Sequence, residues 1–167
     1  MNLQALGEAL EASPVGDFVA SSSWAFPTIE CLHVIAIVTV FGTVAIMDMR
    51  LLGLASKSSE VTEVSGDTLT WTWGAFVMAA ITGTLLFVSK AHIYLIEPWF
   101  LWKMVLIALA GVNMAIFHLS TWRSVDNWNA ARSAPLGGKI AGCLSLLLWI
   151  AVVFCARLIG FTLGLYE

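Results

Sequence analysis

Residues 31–47 read CLHVIAIVTVFGTVAIM, a stretch with no Asp, Glu, Lys or Arg. With its flanks, from about Pro27 to Leu52, it supplies the roughly 20 apolar residues that cross the hydrocarbon core of a bilayer. Pro27 suits a first helical turn, where its missing N–H costs no hydrogen bond. Working outward, Leu69–Ser89 is again uncharged and gives a second span of about 69–92. Glu97-Pro98 breaks the chain before a third span of about 99–122, and a fourth runs over about 140–163. On the N-terminal side, Leu3, Leu6 and Leu10 share one face and predict a short interfacial helix over 3–12. Ser56–Thr68 and Arg123–Lys139 are polar and rich in turn formers, as water-facing connections should be. The expectation is an all-α protein, a single transmembrane domain over 1–167 built as an integral membrane four-helix bundle.

Composition leads to the same place. The chain is 59% apolar and 11% charged, against roughly 25% charged residues in a typical soluble domain. Lipid has to cover what water cannot, and 167 residues leave no room for a separate catalytic domain. Eight basic and eleven acidic side chains with no Lys/Arg run exclude a nucleic-acid binder. Cys31, Cys143 and Cys155 lie in apolar stretches without a C-x-x-C pair and read as packing residues, not as a disulfide framework or zinc site. The first twenty residues carry acids but no Lys or Arg, which does not support a cleavable signal peptide. No G-x-S-x-G, Walker loop or H-E-x-x-H occurs, and the six Met form no M-x-x-M cluster for copper(I).

Tryptophan marks the membrane interfaces, because amphipathic rings collect at headgroup level. Trp24, Trp99 and Trp102 fall at one face, and Trp71, Trp73, Trp122 and Trp128 at the other. The second face also carries Arg50, Lys57, Arg123, Arg132 and Lys139, so the positive-inside rule makes it cytoplasmic. The expected location is a bacterial inner membrane with both termini periplasmic.

Ionisable groups inside spans are expensive and are functional candidates by default. Helix rise sorts them into two levels. The outer level holds Glu30, His33, Lys90, His92, Lys103 and Arg157; the inner level holds Asp48, Arg50 and His118, with Asn113 somewhat deeper. Glu30 and His33, three residues apart, share a face, whereas Cys31 and His33 do not. His33 and His92, on antiparallel neighbouring spans, are the candidate metal ligands: two imidazoles at similar depth are an arrangement that holds haem iron. Lys90, Lys103 or Arg157 would neutralise the propionates and Glu30 would orient an imidazole. The same residues also fit a non-haem copper, zinc or iron site on Glu30, His33 and His92, or a purely structural set of interhelical contacts. His118 reads as a structural contact to Asp48 or a headgroup. Gly138-x-x-x-Gly142 and Gly160-x-x-x-Gly164 match the small-residue packing pattern, within the chain or in a homo-oligomer.

The combination Trp24-Ala-Phe-Pro-Thr-Ile-Glu30-Cys-Leu-His33, Asp48-Met-Arg50-Leu-Leu-Gly53, Thr82-Gly83-Thr-Leu-Leu-Phe87, Lys103 and Asn113-x-x-x-Phe117-His118 resembles a group of uncharacterised bacterial four-helix inner-membrane proteins. The resemblance covers nearly the whole chain and implies the fold. More loosely, histidines on such a bundle look like the cytochrome b561 and copper-resistance CopD group, whose members bind haem b and exchange electrons with quinones. Three histidines allow at most one bis-His site. The leading expectation is a haem b protein passing single electrons to or from quinone or a periplasmic carrier. The alternatives are a non-haem metal binder or transporter and a cofactor-free assembly subunit.

Overall fold

Four helices are long and apolar enough to cross a membrane: α3 (Ala25–Leu52), α4 (Val61–Ser89), α6 (Pro98–Leu119) and α7 (Leu136–Thr162). The computed structural model describes residues 3–130 and 134–162. Three shorter helices complete it, α1 (Leu3–Glu11), α2 (Pro14–Ser21) and α5 (Ala91–Tyr94), with a 3-10 segment at Thr121–Asn127; no strand occurs among the described residues. Large apolar side chains remain outside the bundle along the spans, Val38 at 62% and Phe154 at 63% exposure among them. A helix apolar all round, with its apolar side turned outward, needs lipid as its solvent. The chain is a multi-pass membrane protein.

α3 packs against α4 on one side and α7 on the other, and α6 packs against α7. The order around the bundle is therefore α4, α3, α7, α6, and the ring does not close along the α4–α6 seam. Small residues make the α3–α7 contact close: an added Cβ would stand 3.2 Å from Asp48 O at Gly142 and 3.8 Å from Leu51 Cδ2 at Gly138. The first small-residue motif is thus used within the chain. In the second, Gly160 faces open space and Gly164 lies outside the described residues. Polar bonds pin the other seams. Thr72 Oγ1 donates to Thr43 Oγ1 at 2.8 Å between α4 and α3, and Asn113 Nδ2 donates to Ala141 O at 3.0 Å between α6 and α7.

The D-x-R-L-L-G stretch ends α3 and organises one end of the bundle. Gly53 takes the left-handed conformation (φ 71°) that closes the helix, a geometry that costs other residues more. One turn earlier, Arg50 is fully enclosed. Its Nε donates to Ser59 O at 2.9 Å and its Nη2 lies 3.4 Å from Asn129 O. Asn129 in turn caps α4: its Oδ1 accepts from Thr62 N at 2.9 Å and its carbonyl from Val61 N at 3.2 Å. That cap explains why α4 starts at Val61, about two turns ahead of the expected 69. A hydrophobicity window cannot see a helix start fixed by a loop some seventy positions away. Leu51, Val61, Phe117, Val125 and Trp128 fill the space beneath it.

At the other end the expected second span divides. α4 stops at Ser89, Lys90 leaves helical geometry (φ −145°, ψ 43°), and His92 sits on α5. α1 lies against α5 so closely that a Cβ on Gly7 would meet His92 Cα at 2.5 Å. The interfacial helix of the sequence reading is present as a helix, followed by an unexpected second one. α2 starts on Ser13, whose Oγ accepts from Gly16 N at 3.2 Å, with Pro14 in the first turn.

Arg50→Ala is expected to destabilise the protein by about 3 kcal/mol, because it leaves buried carbonyls without a donor. Arg50→Lys should recover part of that loss. Thermal unfolding in detergent, followed by circular dichroism, measures both.

Candidate functional site

Two polar regions survive from the sequence reading, one at each end of the bundle. In the first, His33 points from α3 to α4. Thr82 Oγ1 hydrogen-bonds both Met78 O at 2.7 Å and His33 Nδ1 at 2.9 Å. With the hydroxyl proton on Met78 O, Nδ1 is the donor and Nε2 keeps the lone pair. Gly83 supplies the clearance: a Cβ there would stand 2.9 Å from His33 Cε1. The Lys103 ammonium is near enough to act on His33 electrostatically, and its Nζ lies 4.7 Å from the centre of the Phe100 ring.

The remaining outer candidates disperse. His92 Nδ1 pairs with Glu11 Oε1 at 2.6 Å, and the same oxygen accepts His92 N at 2.9 Å. His33, in contrast, lies against Gly83, nine residues earlier in the chain. Arg157 is exposed, with its guanidinium carbon 4.7 Å from the centre of the Phe161 ring. Lys90 occupies the break between α4 and α5. Glu30 is exposed near Tyr94. Lys103 stands within electrostatic range of His33, and the structure does not gather Glu30, His33 and His92 as a metal-binding group. Among the described residues no three His, Cys, Asp or Glu side chains converge as a metal-binding group.

Sequence reasoning took Glu97 for a helix break only. It is fully buried; Oε2 caps α6 by accepting Phe100 N at 2.7 Å, and Oε1 accepts Thr162 Oγ1 at 2.7 Å. The signal was present as an acid directly before Pro, a helix-starting pair. Around it Phe87, Tyr94 and Phe100 stack, with Phe87 and Phe100 centroids 5.5 Å apart and nearly parallel. This cluster holds α4 and α6 together at their outer end.

Below that aromatic lock the seam widens into the second region, a half-open cavity of about 210 Å³ reaching all four spans. Its wall is mainly apolar and aromatic, with Trp73, Phe76 and Trp149, and its polar groups include Thr43, Asn113 and Asp48. Asp48 is 5% exposed, hydrogen-bonds Ser145, and among the described residues leaves Oδ2 without a partner. His118 also lines the cavity, but its Nδ1 hydrogen-bonds Met114 O at 2.9 Å and its ring packs on Trp122. The inner set thus shares a cavity, while Arg50 faces the loops.

Burial holds the Tyr94 phenol above its ordinary range, and the Glu30 carboxylate pushes the same way. A raised phenol favours the protonated folded state, so its contribution to stability is lost as pH rises through the folded value. In a Tyr166→Phe background, absorbance titration of Tyr94 is expected to end above the ordinary pH of about 10. Glu30→Gln should lower it only in part.

The chain belongs to DUF6644, a family of unknown function, whose model matches residues 11–162. No curated protein and no solved structure matches it.

Proposed function

We propose that this protein is a membrane-embedded binding protein for a small, lipid-dissolved molecule, which reaches the cavity sideways through the α4–α6 seam. The observation that carries this reading is the cavity itself: apolar walls with few polar groups, in the one lateral seam where neighbouring spans are not packed together. Binding sites between the helices of a bundle commonly have this make-up. The basic residues near the Arg50 end favour a cytoplasmic face there; of those counted for it, Arg132 lies outside the described residues. On that orientation both termini are periplasmic, in a bacterial inner membrane.

A diazirine-bearing alkylbenzene in phosphatidylcholine nanodiscs is expected to label α6 saturably between Ile107 and Met114. Gly111→Leu should remove the saturable part, since Gly111 lines the cavity and a Cβ there meets nothing within 4 Å. Labelling spread evenly over the lipid-facing residues and indifferent to that substitution would sink the reading.

A second reading is favoured by His33. In the tautomer with Nδ1 donating to Thr82, Nε2 carries a lone pair of the kind that ligates haem iron. On this reading His33 and Lys103 would hold haem b, which would supply one-electron exchange with a quinone or periplasmic carrier; His92, engaged by Glu11, is not part of it. Protein from haem-replete cells should then show a Soret band that His33→Ala abolishes and His118→Ala leaves nearly unchanged. Colourless protein rejects this second reading.

A further inference from the structure

Among the described residues the cavity lining contains one acid, one histidine and no lysine or arginine. The acid is Asp48, which lines the cavity, is more than nine-tenths enclosed, and has its Oδ2 buried and without a partner among the described residues. A carboxylate taken out of water is costly unless a positive charge or a full set of donors joins it. Ser145 supplies a donor. Arg50, two positions on, cannot share a helix face with Asp48, and its Nε and Nη2 are directed at Ser59 and Asn129. His118 directs Nδ1 at a backbone carbonyl of its own helix. The aromatic wall of Trp73, Phe76 and Trp149 adds electron-rich ring faces, which attract cations and do so most strongly away from water.

We infer that the cavity takes a lipophilic organic cation, an amine or quaternary ammonium carried on a ring-sized apolar body, with its charge set toward the Asp48 carboxylate. This rests on the reading that the cavity receives bilayer-dissolved molecules, and adds the chemical class. Size agrees: an apolar cavity of about 150 Å³ accommodates benzene, so a volume of about 210 Å³ holds one substituted ring. A longer tail would leave through the seam into lipid. Charge complementarity selects the cation, which pairs with the ionised carboxylate, over a neutral alcohol or phenol, which gains one hydrogen bond from either form of the carboxyl group.

The experiment uses the full chain in phosphatidylcholine nanodiscs and two probes of equal length, 4-bromobenzyl-dimethyldecylammonium and a neutral 4-bromophenyl alkanol. Bromine quenches tryptophan on contact, and Trp73 and Trp149 are in the wall. The cation is expected to quench saturably, binding at least about tenfold more tightly than the alcohol, the order of a desolvated cation–aromatic and ion contact. Asp48→Asn, equal in size and uncharged, should erase that preference. Gly111→Leu, which fills the cavity without backbone conflict, should abolish saturable quenching by both probes. Equal binding of both probes, lost in Gly111→Leu, overturns the cation and leaves the lipid-dissolved ligand standing. Linear quenching identical in the unaltered protein and Gly111→Leu overturns both. A cation preference that persists in Asp48→Asn overturns the role of Asp48.

Discussion

A charged group enclosed in a membrane protein has to be given partners, and Arg50 obtains them from backbone carbonyls of two separate loops. The constraint shapes the molecule. To reach Ser59 the chain must turn sharply after α3, which Gly53 permits, and to reach Asn129 the connection after α6 must fold back under α4. Asn129 then uses its side chain and carbonyl to start α4. One guanidinium therefore helps to fix where α3 ends and α4 begins at this face, and with them the depth of Asp48 two residues before it. The cavity stands above a floor built on that arrangement.

The two ends of the bundle are held by different means. Where Arg50 lies, hydrogen bonds to loops and the packed residues from Leu51 to Trp128 close the structure. At the far end an aromatic stack, a buried carboxylate cap and the Glu11–His92 pair do so. Between them, α3 contributes to both polar regions on different turns: His33 meets α4 closely, helped by Gly83, whereas Asp48 faces a gap. A helix pair in tight contact at one level and a seam open at another is a consequence of residue size along α4 and α6, not of length or hydrophobicity.

How much could be read beforehand follows from this. Four spans and a leading amphipathic helix were legible because apolar length is a local property, and Leu3, Leu6 and Leu10 advertise their face. The small-residue step Gly138–Gly142 was legible as a close contact but not its partner, which is α3. Ranking ionisable residues by depth put His33 and Lys103 at a common level, and Lys103 is within electrostatic range of His33. Depth carries no information on direction around a helix, so it could not show that His92 turns to Glu11 or that Arg157 lies over Phe161. Nor does it reveal emptiness. Asp48 was visible as a costly residue, yet the space beside it depends on α4 and α6 standing apart, and no local pattern encodes that.

The unclosed side of the ring has a bearing on how any occupant should be titrated. A solute that partitions into the acyl chains before it binds meets the protein at its concentration in the oil-like phase, so affinity quoted against bulk water rises with lipid solubility even when every contact to the protein is unchanged. Adding lipid at fixed solute and protein should then dilute the occupant and lower occupancy. Apparent constants measured in micelles and in vesicles belong on one scale only after division by the respective partition coefficients.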